Sequence, residues 1–264
     1  MKQAFIKNVT IIGTGRVAYQ LSNALYNNGF IIQQVLGRNQ LKTTELAEML
    51  DAEAIYRFDA LNCDVDLVIL AVSDDAIAEV AAQLPAMKGI IVHTSGSKGI
   101  EELGIQSNRK GVFWPLQTFS FDRVADFLTI PIFIQAENEN DLRTLEAFGK
   151  VISNKIIESN NKMRAKLHLA AVFVSNFSNT LYAIGSDILA DEQLDFEYLQ
   201  PLILESALKV SEINPEAAQT GPARRIDLKT IANHLKLLSD KPDQAKIYQE
   251  LTNFILKKYH NTQL

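Results

Sequence analysis

The chain holds a single cysteine, Cys63, among 264 residues, which excludes an intrachain disulfide and any multi-cysteine zinc site. No metal-ligand set is read from the sequence. Uninterrupted apolar runs of about 18 residues are missing, and the opening MKQAFIKNVTIIG lacks signal-peptide architecture, so the expectation is a soluble, cytoplasmic protein without a membrane partner. Positive charge is scarce as well. The net charge is −5 and no long basic run occurs, which argues against a nucleic-acid partner. There is neither a GxxxxGK[ST] phosphate loop nor a GxSxG nucleophile elbow, which disfavours a kinase or a hydrolase. Internal repeats and low-complexity linkers are also absent. What remains is an ordinary globular composition, 47% hydrophobic and 22% charged, long enough for one large or two modest domains.

The most informative stretch is NVTIIGTGRVA, residues 8–18. Val9, Ile11 and Ile12 favour a buried strand, and Gly13, Gly15 and Ala18 occupy the three small-residue positions of the GxGxxG/A fingerprint. In that pattern the first glycine permits a tight strand exit, the second lets a pyrophosphate approach bare backbone, and the small third residue lets the next helix sit close to the sheet. Phosphates then rest on unpaired N–H groups at a helix start, where the dipole favours negative charge. Gly13, Thr14, Gly15, Arg16, Val17 and Ala18 are therefore candidate dinucleotide contacts. The motif lies between a strand and a predicted helix at 17–27, which raises its weight above that of an ordinary glycine turn.

Phe30 to Leu36 reads as a second strand, ending in Gly37, Arg38 and Asn39. An acidic residue at this point would hold a ribose 2′-hydroxyl; Arg38 suits a 2′-phosphate instead and favours NADP over NAD, without excluding use of both. A solvated surface arginine is the plain alternative. Residues 65–72, VDLVILAV, are almost wholly apolar, as expected of a central parallel strand covered on both faces. It leads to Ala71, Val72 and Ser73, with Ser73, Asp74 and Asp75 as a helix cap. A further strand at 89–92 ends in His93, Thr94, Ser95, Gly96 and Ser97. Strands are also expected near 54–56, 111–114, 130–136 and 155–158, with Pro131 placed at an edge or at the start of its strand. Helices are expected at 43–50, 77–84 and 141–151. The alternation predicts a doubly wound parallel α/β sheet of Rossmann type, whose ligands bind beyond the carboxyl ends of the strands. The turns after Ile12, Leu36, Val72 and Val92 should converge on one crevice, bringing His93, Ser95 and Gly96 near the cofactor.

After about Asn160 strand signals stop. Helical patterns take over at 162–189, 196–213, 227–238 and 243–259, so the expected division is a nucleotide-binding domain at 1–158 and a helical domain at 159–264. The first of these helices is long and apolar, as if buried between domains or subunits. At 3.6 residues per turn His168, Ser175, Asn179 and Ser186 fall on one narrow stripe, with Asn176 beside it. Such a stripe needs polar partners or a ligand; a helix–helix contact would serve equally, and a lone histidine is more often packed than reactive. The loop Thr220 to Arg225 offers Arg224 or Arg225 to a substrate carboxylate, with a surface ion pair ahead of Asp227 as the alternative.

The glycine turn, Arg38, HTSGS, PLQTF, LHLAAVFVSNF and TGPARR together resemble an uncharacterised family of NADP oxidoreductases that joins a Rossmann-like domain to a helical C-terminal domain of unknown function. The resemblance spans essentially the whole chain. Broader relatives include pyrroline-5-carboxylate reductase, ketopantoate reductase, the β-hydroxyacid dehydrogenases and deazaflavin-dependent NADP oxidoreductases. It implies NADP as cofactor, an all-helical second domain like the C-terminal domain of 6-phosphogluconate dehydrogenase, and a homodimer formed through that domain. Two departures stand out. The lysine–asparagine pair of the β-hydroxyacid dehydrogenases is absent, since Lys166 is followed one turn on by Ala170. Trp114 also stands where many members of the closer family carry histidine. The resulting expectation is hydride transfer between NADP(H) and a small carbonyl, imine or hydroxy acid. His168 serves as acid/base because histidine titrates near neutrality, assisted by Asn176. Ser95, Gly96, Gln117, Asn179 and Arg224 face the substrate. A non-catalytic NADP-binding sensor is the alternative.

Overall fold

A computed structural model describes residues 5–104 and 109–262, in two compact units, residues 1–175 and 176–264. The first unit opens with β1 (Asn8–Ile12), which runs through the glycine turn into α1 (Arg16–Asn27) and then β2 (Ile31–Leu36), α2 (Gln40–Met49) and β3 (Glu53–Ile55). Next come β4 (Leu67–Leu70), α3 (Ile77–Ala82), β5 (Ile90–His93), β6 (Lys110–Pro115), β7 (Ile132–Ala136), α4 (Glu139–Gly149) and β8 (Ile156–Glu158). The sheet order is β3-β2-β1-β4-β5-β6-β7-β8. Strands β4 and β5 are buried along their whole length, as continuous apolar runs in a doubly covered parallel sheet must be. Leu21, Leu25, Leu67, Ile69, Val92 and Leu145 belong to the larger core.

The expected parallel sheet needs one correction. β1 to β6 are parallel to one another, but β6 and β7 pair antiparallel, and β8 then runs parallel to β7. A parallel return requires a crossover, usually a helix. The connection from Pro115 to Ile132 contains only one 3₁₀ turn, Phe127–Thr129, so the chain doubles back. This leaves residues 116–131 at the carboxyl edge of β1 to β6.

The last strand ends at Glu158, and α5 (Asn161–Ala171) begins the helical part of the chain. It runs into a π-helical stretch, Val172–Phe177, and on into α6 (Ser178–Ala190). The second unit continues with α7 (Gln200–Glu212), α8 (Pro215–Ala218), α9 (Leu228–Leu237) and α10 (Pro242–His260), and holds a small core of Ala223, Ile231 and Leu256. The π stretch adds about one residue, or roughly 100°, to the helical path. The single line expected of His168, Ser175, Asn179 and Ser186 assumes uninterrupted α-helical spacing, which this stretch breaks.

Candidate functional site

The carboxyl ends of β2, β1, β4 and β5 lie side by side, and the loops that follow them share one edge of the sheet. At the centre, Gly13 adopts φ +119°, and a Cβ there would stand 2.3 Å from the Ala71 carbonyl oxygen. Only glycine lets the β1 exit lie against the end of β4 in this way. Gly15 is exposed, and a Cβ there would meet nothing within 4 Å. It is the N-cap of α1 and supplies no side-chain cap, and the first turn of α1 carries no acidic residue. Bare N–H groups at an open, positively polarised helix start fit a pyrophosphate. Ala18 is buried against the sheet, Val17 and Thr14 are half-buried, and Arg16 is exposed with its guanidinium 5.8 Å from the Phe121 ring centre.

Arg38 is exposed one residue past the end of β2 and its following glycine. Asn39 caps α2, its Oδ1 accepting from the Lys42 N–H at 3.0 Å. Val72 is half-buried and Ser73 exposed. The Ser73 side chain makes no cap bond, contrary to the expected role, and Asp74 instead accepts a hydrogen bond from the Ser97 hydroxyl.

The loop after β5 is self-bonded. His93 is fully buried; its Nδ1 accepts from the Ser95 N–H at 3.1 Å and its Nε2 lies 3.1 Å from the Gly99 carbonyl oxygen. Burial, opposed by the Gly99 contact, brings its pKa down to about 4, so the ring is neutral, donating from Nε2 and accepting at Nδ1. Ser95 Oγ in turn accepts from the N–H groups of Ser97 and Lys98, both at 3.1 Å. His93 thus shapes the loop, with both ring nitrogens engaged. A Cβ at Gly96 would stand 2.4 Å from the Trp114 ring, so the indole lies directly on this turn. On its other contacts Trp114 meets Phe133, with ring centres 5.4 Å apart, and His168, at 6.2 Å. His168 is exposed on α5, and Gln117 is exposed with its Oε1 accepting from the neighbouring Thr118 N–H at 2.8 Å.

Two buried side chains escaped the sequence reading. Gln20 on α1 is 4% exposed. Its amide donates to the carbonyls of Ser120 and Arg123 at 2.6 and 2.8 Å and accepts from the Ala125 N–H at 3.1 Å, pinning the β6–β7 connection onto α1. Arg164 on α5 is fully buried. Neither belongs to a motif; a glutamine and an arginine in polar stretches read as solvated until the partner segments, up to 105 residues away, are brought together.

In the second unit, considered by itself, Asn176 and Asn179 are exposed. Arg224 is exposed and stacks its guanidinium 4.6 Å from the Tyr259 ring centre, while its carbonyl lies 2.9 Å from His260 Nε2. Arg224 was one of two candidates in its loop; Arg225, also exposed, contributes to holding the Asp227 carboxyl below its ordinary range, after the backbone and side-chain hydrogen bonds from Thr230. Among the described residues no helix is long and apolar enough to cross a membrane.

Residues 8–95 match the family described as NADP oxidoreductase coenzyme F420-dependent, and residues 130–255 match a domain of unknown function, DUF2520. None of the curated proteins matches the chain in sequence. Among solved structures, the "putative NADP oxidoreductase BF3122" of Bacteroides fragilis is 37% identical, with a TM-score of 0.90, over 96% of this chain and 98% of that one. Protein TM1727 of Thermotoga maritima is 22% identical, with a TM-score of 0.73, over 96% and 98% of the two chains. A reductive aminase from Aspergillus terreus, solved with NADPH and ethyl levulinate, shares the fold at 16% identity, with a TM-score of 0.72 over 98% and 95%.

Proposed function

Because this chain belongs to the NADP oxidoreductase family of the Bacteroides fragilis protein, we propose that its β1 turn binds the pyrophosphate of NADP(H) and Arg38 the 2′-phosphate. The reaction we assign is hydride transfer to or from a small carbonyl, imine or hydroxy acid. The carrying observation is the combination of Gly13 locked against Ala71, an open Gly15 at an uncapped helix start, and an exposed Arg38 at the neighbouring strand end. When bound, the cofactor supplies the hydride.

The protein's own residues orient and protonate. With β2 on one side of β1 and β4 and β5 on the other, the adenosine half belongs at Arg38 and Asn39. The nicotinamide half then belongs at Ala71 to Ser73 and at the loop carrying Ser95 and Gly96. His93 acts there by holding Ser95. His168, beside Trp114, is our candidate acid/base. Gln117 is a candidate substrate contact, and Asn176, Asn179 and Arg224 are retained as candidates, each judged by its own alanine variant. We assign the protein to the cytoplasm and to a homodimer through the helical domain, the latter supported by Leu181, Leu202, Leu204 and Leu208, all large apolar side chains left exposed in the single chain.

Calorimetric titration with NADPH and NADH tests the reading. The wild type should prefer NADPH, and Arg38→Ala should weaken NADPH by about 10- to 100-fold, the worth of a charge-assisted hydrogen bond, while leaving NADH nearly unchanged. Failure of the wild type to bind either nucleotide would overturn it.

A further inference from the structure

We propose that Arg164 is a positioning residue: it clamps the loop after β5 to the start of the helix that carries His168 and so sets the nicotinamide side of the site. This rests on the NADP-binding reading above. Arg164 heads the fully buried side chains by size. One terminal nitrogen donates to Gln135 Oε1 on β7 and, at 3.4 Å, to Ser159 Oγ just after β8. The other donates to the Lys98 carbonyl at 3.1 Å and to Asn161 Oδ1 at 2.9 Å. One planar fork thus joins β7, the end of β8, the first turn of α5 and the Ser95-to-Gly99 loop.

No ion pair neutralises this guanidinium among the described residues, and its Nε has no partner. Glu101, which accepts from Asn161 Nδ2 at 2.9 Å, favours the charged form at longer range, without direct contact. A buried charge without a direct ion pair is expensive, and an apolar side chain of similar length would fill the space at lower cost. What an apolar side chain cannot do is hold four acceptors at fixed angles, and the Lys98 carbonyl is the one acceptor that belongs to a site loop. His93 fastens the same loop from its other end through Ser95 and Gly99. One helical turn after Arg164 comes His168, beside the indole that rests on Gly96. The clamp therefore couples the loop and the candidate acid/base through one short piece of α5.

The test compares wild type, Arg164→Met and Arg164→Lys in binding NADPH and adenosine 2′,5′-bisphosphate, which carries only the adenosine half. The emission of Trp114, the sole tryptophan, reports on the loop. Arg164→Met should weaken NADPH tenfold or more, leave the bisphosphate within twofold of wild type, and shift Trp114 emission to the red. Arg164→Lys keeps the charge but loses the fork; it should show the same split at reduced size, and it carries the test should the methionine variant not fold. Equal loss of both ligands would reveal mere destabilisation, and unchanged NADPH binding would show that the clamp does not position the site; either overturns the proposal. If the wild type binds neither ligand, the NADP reading falls and this inference with it. If the wild type binds both and the variants match it, only this inference falls.

Discussion

Gly13 and Gly15 stand two residues apart in one motif, yet their requirements differ. At Gly13 the positive φ and the Ala71 carbonyl 2.3 Å from a would-be Cβ make glycine a folding requirement. At Gly15 the backbone is extended, at φ −78° and ψ 178°, and a methyl meets no protein atom, so the fold makes no demand for glycine there, and our reading assigns that demand to the pyrophosphate. Gly15→Ala should change stability by no more than about 1 kcal/mol, because the freedom lost by the unfolded chain is offset by alanine's poorer fit at an N-cap, while sharply weakening NADPH. Gly13→Ala should destabilise the fold. Denaturant unfolding alongside calorimetry separates the two, and intact NADPH affinity in Gly15→Ala would place the pyrophosphate elsewhere. His93 offers a second test. Its folded pKa lies near 4 against an ordinary 6.5, so between those values the unfolded chain binds a proton that the folded chain does not. Stability should be full above about pH 6.5 and fall as pH drops toward 4, by on the order of 3 kcal/mol. In His93→Gln that slope should flatten, as urea unfolding across the window would register; an unchanged slope would mean that other groups control acid sensitivity.

Among elements, the β6–β7 connection shows how a local reading can find strands and miss their sense. The apolar runs around Val112 and Ile134 were legible, and both became strands. Their antiparallel pairing follows from the lack of a crossover helix between them, which keeps residues 116–131 at the carboxyl edge of β1 to β6. Gln20 then holds that segment through three hydrogen bonds. Replacing Gln20 by Leu strands two carbonyls and one N–H, at about 1–3 kcal/mol. Amide exchange should accelerate at residues 120–125 before it does in β1 or β4, and wild-type protection there would show that other contacts hold the loop. The long helix teaches a related lesson. Its extent was evident from the apolar run, but the π stretch Val172–Phe177 was not, since no residue pattern announces it, and spacing arguments drawn across it lose their phase.

For the whole molecule, the apolar character of the helical half is the informative feature. Leu204 and Leu208, one turn apart on α7, are each at least 60% exposed in the single chain, and adjacent exposed apolar side chains of this size are what our reading uses as a docking face. A second copy is the occupant our reading assigns. Leu204→Glu together with Leu208→Glu should convert a dimer to a monomer in sedimentation experiments; a dimer that persists would place the interface on another face.

The sequence by itself determined what depends on neighbours along the chain. A strand, a positive-φ glycine, an open helix start and an arginine two residues past the second strand are all set within a few dozen residues, by steric rules that act locally. Tertiary structure decided what depends on distant partners: the reversed direction of β7, the clamp of Gln20 on a loop some hundred residues away, the neutral His93 and the burial of Arg164. The reason is physical. Burial and hydrogen-bond satisfaction belong to pairs of atoms in space, and a polar side chain shows its partner only once the chain has folded around it.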